Sequence, residues 1–119
     1  MNIEELREYC LNKKGTTEEL PFDENTLVFK VMGKMFALTS LIRIPFTVNL
    51  KCDPERALEL REQYPAVQPG YHMNKKHWNT INFEDGSLNN AFLLELVDHS
   101  YNLVVLKLTK KVQQELSNL

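Results

Sequence analysis

The chain has 119 residues, of which 43% are hydrophobic and 25% charged, and carries a formal net charge of -2. That length and balance fit one folded domain with a real core rather than a disordered chain. They also exclude a uniformly basic nucleic-acid binder, so any anion-binding surface has to be local.

The first twelve residues or so, 2 to 13, read as an amphipathic helix. Asn2 suits the N-cap, Glu4 and Glu5 suit the first turn, and Ile3, Leu6, Tyr9 and Cys10 share one face. Gly15 ends it, and "TTEELPFDEN" reads as a connector punctuated by Pro21. "TLVFKVMGKMFALTS" reads as a β-hairpin with a type II′ turn centred on Gly33-Lys34, which places Lys30 and Lys34 at or near its tip. "FTVNLKC" alternates: Phe46, Val48, Leu50 and Cys52 point one way, and Thr47, Asn49 and Lys51 the other. A second helix follows, with Asp53 as N-cap, Pro54 at its first position and Tyr64-Pro65 at its end.

After Gly70 the pattern suggests a further strand pair or one long strand ending at "WNTINF". "EDGS" reads as a turn, with Ser87 capping the next helix. The apolar stretch 88 to 108 is helical, with Leu93, Val97, Val104 and Leu108 on one face. A division into two helices near His99-Ser100 is left open. "LVVL" at 103–106 is apolar nearly all round, which suits a core helix or one with a second face for a partner. Thr109 then caps a last short helix. The expected fold class is α+β, one domain over 1–119, with helices packed on one face of a mainly antiparallel sheet.

One stretch stands apart. "GYHMNKKHWNT" holds two histidines, two lysines and the single tryptophan, within a segment from Gln63 to Phe83 that has no acidic residue. On a strand, Asn79, Ile81 and Phe83 share one face, and Trp78, Thr80 and Asn82 the other. Placed beside Phe46–Cys52, the second set joins Thr47, Asn49 and Lys51. The result is a polar sheet face with one tryptophan, fringed by His72, Lys75, Lys76 and His77. Lysines attract phosphate and an aromatic ring stacks on bases, as on sheet surfaces that hold nucleic-acid strands. The alternative is a tryptophan that covers a sheet edge or is buried by a register shift.

Other chemistries find less support. His72 and His77 form a single pair, with only Cys52 or Asp53 as further candidates, where zinc needs three or four ligands. "DHS" at 98–100 has the residue types of a triad, but helix neighbours point about 100° apart and cannot form a relay. No phosphate loop or dinucleotide fingerprint is present. No catalytic residue, cofactor or metal is therefore expected. Cys10 and Cys52 have no partner motif and read as reduced thiols of a cytoplasmic protein. The N-terminus lacks the apolar region of a signal peptide, and no run approaches the ~20 apolar residues of a membrane span.

"LPF", "VFKVMGKMFAL", "LKCDPERALELREQYPAVQPGYHMNKKHWNTI" and "DHSYNLVV" together resemble the MmcQ/YjbR family of small bacterial proteins. The likeness runs from about Pro21 to Leu108. It implies an α+β domain related to CyaY-like and secretion-chaperone-like folds. It also implies DNA binding through a double-wing arrangement, for which the Gly33-Lys34 hairpin and the "NKKHW" segment are the matching positions.

The leading expectation is thus a DNA-binding domain, monomeric or weakly dimeric and independent of membranes. Lys34, Lys51, Lys75 and Lys76 would meet phosphate; Tyr71, His77 and Trp78 would stack or wedge; Asn79 would hydrogen-bond; His72 would fringe the surface. Two other readings stand beside it: a protein-interaction or chaperone-like module using residues 103–106, and a small-ligand pocket lined by Cys52, His72, His77 and Trp78.

Overall fold

Asn2 opens the first helix in the computed structural model of the chain, which describes residues 1–119. Its side chain accepts from the Glu5 N–H while the Glu5 carboxylate accepts from the Asn2 N–H, so two orphan donors are satisfied reciprocally. This helix, α1 (Ile3–Leu11), buries Leu6 and Cys10. The expected connector after it is in part a strand, β1 (Thr16–Glu19), paired antiparallel with the next strand. Its polar residues suit an edge position, which hid it from any reading of hydrophobic alternation.

The hairpin forms from β2 (Thr26–Val31) and β3 (Lys34–Ser40), but its turn lies one residue earlier than expected. Val31 pairs with Lys34, so Met32 and Gly33 are the central pair. Both have positive φ, 48° and 83°, the signature of a type I′ rather than a II′ turn. Met32 tolerates this because its N–H donates to the Gly15 carbonyl at 3.0 Å and its side chain packs on the core. The register also shifts past Phe36, which becomes the extra residue of a β-bulge.

β4 (Thr47–Lys51) alternates as expected, with Val48 and Leu50 buried. α2 (Pro54–Gln63) is capped by the Asp53 carboxylate, which accepts from the Arg56 N–H at 3.1 Å. Strands then bracket the Gly70 segment rather than running through it: β5 (Val67–Pro69) precedes it and β6 (Trp78–Asn82) follows. α3 (Asn90–Leu106) is one continuous helix. Its N-cap is Asn89, not Ser87, whose N–H and hydroxyl both donate to Asp85 instead. Thr109 caps α4 (Lys110–Ser117). No helix is long and apolar enough to cross a membrane.

All strand pairs are antiparallel, in the order β1-β2-β3-β4-β6-β5. The four helices contribute to one large core on a single face of this sheet, so the α+β class and its layering are as expected. Ser100 fixes α3 to the sheet. Its hydroxyl donates to the Phe36 carbonyl at 2.5 Å and accepts from the Lys51 N–H at 2.9 Å. A polar residue in mid-helix is buried here because the bulge leaves backbone groups for it to satisfy. At the end of α3, Val104 is buried whereas Leu106 is exposed.

Candidate nucleic-acid interface and outer-face cleft

The register of β4 and β6 decides which side chains share the face away from the helices. Lys51 lies opposite Trp78, Asn49 opposite Thr80, and Thr47 opposite Asn82. The outward set is therefore the expected one. Its exposure is not: Trp78 is only 9% accessible. It forms a small apolar cluster with Val28 and Leu38 of the hairpin, with Met35 and Met73 packed against it. Trp78 is buried on the expected face of an interior strand, with neither a sheet edge nor a slip of register involved, because the loop between β5 and β6 folds back over it.

That loop, residues 70–77, is tightly braced. The Gly70 N–H donates to the Trp78 carbonyl at 2.9 Å, and the Asn74 carbonyl accepts from both His77 and Trp78. The Lys75 ammonium donates to the Gly70 carbonyl at 2.9 Å. From α2, the Arg61 guanidinium reaches the carbonyls of Lys75 and Trp78 and donates to the Asn79 side chain at 2.6 Å. Asn79 itself lies on the helix-facing side, 1% accessible, and also donates to the Ala57 carbonyl. Trp78 and Asn79 are thus structural: neither presents the stacking plate or hydrogen-bonding group expected of it.

The lysines fare differently. Lys34 follows the β2–β3 turn, Lys51 ends β4, and Lys75 and Lys76 precede β6. In an antiparallel sheet these four positions fall at the same end, close to half-buried His77, whose carbonyl accepts from the Cys52 N–H at 2.8 Å. Lys34, Lys75 and Lys76 are exposed. None of the four is in an ion pair; the chain's pairs use Arg7, Lys13, Lys30 and Arg56. Lys51 is held below the usual ammonium range by partial burial and then by the neighbouring Lys107, a further cation at this end that sequence reasoning did not include.

The expected pocket of Cys52, His72, His77 and Trp78 does not form. Cys52 is buried in the core beneath the helices, while His72 is exposed beyond the other face. Nowhere do three His, Cys, Asp or Glu residues gather as metal ligands. His99 and Ser100 serve structure: the His99 Nε2 accepts from the Asp53 N–H at 3.2 Å, and burial, with Arg56 next in effect, holds its pKa below the usual value.

Tyr71 and His72 stand apart from the lysine end, on a cleft of about 470 Å³ in the outer face. Leu38, Met35 and Met73 give it apolar surface, Phe22 stands at its side, and Thr26, Ser40, Thr47 and Asn49 supply polar groups. Arg43 lies over the Tyr71 ring at 4.5 Å, and the Tyr71 and His72 rings are 4.0 Å apart. His72 holds a left-handed backbone, φ 57°.

A family model described as YjbR matches residues 11–103. The chain belongs to the YjbR family. Among its relatives, Escherichia coli YbdF is 44% identical over 95 residues, covering 79% of this chain and 76% of that one. Escherichia coli YjbR is 38% identical over 105 residues, 88% of each chain. The crystal structure of the Deinococcus radiodurans protein DR2400, with a domain designated DUF419, covers 98% of this chain and 88% of its own, at 43% identity and a TM-score of 0.91. A Pseudomonas syringae protein at 28% identity covers 87% of this chain and 98% of its own, with a TM-score of 0.74.

This YjbR-family chain therefore offers two separate surfaces. One is a cationic sheet end that lacks carboxylate partners. The other is a concave outer face floored by apolar side chains. Sequence reasoning missed Arg43 because it lies in an irregular segment between β3 and β4, with no local pattern to link it to Tyr71, 28 residues on.

Proposed function

We propose that this YjbR-family domain binds the phosphate backbone of DNA through the lysine-bearing end of its sheet. The observation that carries the reading is the placement of Lys34, Lys51, Lys75 and Lys76, from three separate parts of the chain, at one end of the sheet with no ion pair among them. Cations gathered at one end and left out of ion pairs leave a positive potential that a polyanion can relieve. The β2–β3 turn and the 70–77 loop are the two projections at this end, a disposition that suits a wing-like grip with Lys51 between them. Trp78 takes no part beyond anchoring the loop that carries Lys75 and Lys76.

Binding of this kind reads charge rather than sequence. Four phosphate contacts give a slope of about -4 in a plot of log affinity against log salt. Titrating a DNA duplex at several salt concentrations tests this. Lys75→Ala/Lys76→Ala should weaken binding and make the slope shallower by about two. Glu55, which shares a groove with Lys75 and Lys76, should oppose binding, so Glu55→Gln should strengthen it. A double lysine variant with wild-type affinity and slope overturns the assignment.

A further inference from the structure

We infer that the outer-face cleft is a binding site for a small carboxylate with a flat apolar body, such as a fused-ring aromatic acid. The cleft is independent of the lysine end. Its volume, about 470 Å³, lies within the range of small-molecule sites, which combine mostly apolar walls with a few convergent polar groups.

The polar groups divide into committed and free. The Thr39 hydroxyl donates to the Thr47 carbonyl, Ser40 Oγ accepts from the Ile42 and Arg43 N–H groups, and Asn49 is engaged by Thr80 and Tyr71. The Arg43 guanidinium, the Thr47 hydroxyl and the His72 imidazole have no hydrogen-bond partner in the protein. All three can donate. Arg43 is the one permanently charged side chain in the lining, which contains no carboxylate. A site of free donors and a lone cation asks for an anionic acceptor of low charge, and a guanidinium matches a carboxylate with two parallel N–H···O bonds.

The apolar part of the ligand follows from the floor. Met35, Leu38 and Met73 are the residues that also enclose Trp78, so the cleft opens onto a packed apolar cluster. Phe22, 63% accessible, is a large apolar ring left uncovered at the side of the cleft, and thioethers adapt well to aromatic faces. Arg43 is preorganised by its stacking on Tyr71, which lowers the ordering cost of binding. Nothing here suits a phosphodiester chain: one cation and an apolar floor select a compact monoanion.

The test uses 2-naphthoate as probe and 2-naphthylmethanol, with the same body and no charge, as control, each titrated into the full chain and followed by amide chemical shifts. Naphthoate should saturate, with the shifts centred on Thr47, Asn49 and Tyr71. The alcohol should bind about tenfold more weakly, and Arg43→Gln should cause a similar loss for naphthoate. Thr47→Phe, a change suited to a strand, should fill the cleft and abolish binding while keeping Arg43. The inference is overturned if naphthoate fails to saturate by about 10 mM, if the alcohol binds as well, or if either variant binds like wild type.

Discussion

Gly70 and Trp78 are in direct backbone contact across the mouth of the β5–β6 loop. The Gly70 N–H donates to the Trp78 carbonyl at 2.9 Å. A Cβ on residue 70 would stand 2.8 Å from Trp78 Cβ and 2.9 Å from that same carbonyl oxygen. Neither is the end of a flexible side chain, so the strand or the loop would have to move.

Gly70→Ala should therefore cost about 1–3 kcal/mol, the usual penalty for forced overpacking. Urea unfolding measures it. Because Trp78 is the chain's one tryptophan, a displaced loop should also shift native emission to longer wavelength. A variant with wild-type stability and emission would show that the loop is not held by this contact.

Ser100→Ala removes one hydroxyl and strands two backbone groups. The Lys51 N–H loses its acceptor and the Phe36 carbonyl loses its donor. Buried polar groups left unpaired cost about 1–3 kcal/mol. Thermal or urea unfolding should show a loss in that range, and the amide of Lys51 should exchange faster with solvent. A neutral result would mean that water replaces the hydroxyl at the bulge.

Much of this was legible in the residues themselves. The alternation of Phe46 to Cys52 carried the strand and its two faces, and the Asp53-Pro54 and Thr109 caps marked helix starts, because each signal is local. β1 escaped because "TTEE" is polar on both faces, as an edge strand can be. The face of Trp78 followed from alternation, whereas its burial depends on Met73 being brought over it by a loop whose course no periodicity encodes. Arg43 and Tyr71 meet only because the 70–77 loop folds back across the outer face, where the Tyr71 backbone bonds to Asn49 and Thr80, toward the segment that precedes β4. Long-range pairing of irregular segments leaves no signature in either one.

The two thiols give a pH-dependent prediction. Burial pushes Cys10 up to about 12 and Cys52 up to about 11, from an ordinary value of 9.0. Burial favours the neutral thiol in the fold, so the unfolded chain loses its protons first as pH rises. This contribution to stability is fully present below pH 9.0 and declines above it, until the folded thiols ionise in turn. Native protein should resist a thiol reagent at pH 8 and react at two sites once denatured. The fall in urea midpoint between pH 8 and pH 10 should be smaller in Cys10→Ala than in wild type; an equal fall would assign the effect elsewhere.

The two outermost strands bear on how the molecule behaves at high concentration. β1 carries Glu18 and Glu19 along one rim of the sheet, and β5, at the opposite rim, is three residues long and ends in Pro69. Charge on one side, and brevity with a missing N–H on the other, discourage a second chain from adding its own strand. A sheet of six strands would otherwise be a template for unlimited stacking. Here it is closed at both margins by chemistry rather than by a barrel, so crowding should leave the strands unextended and the face that bears Arg43 open to solvent.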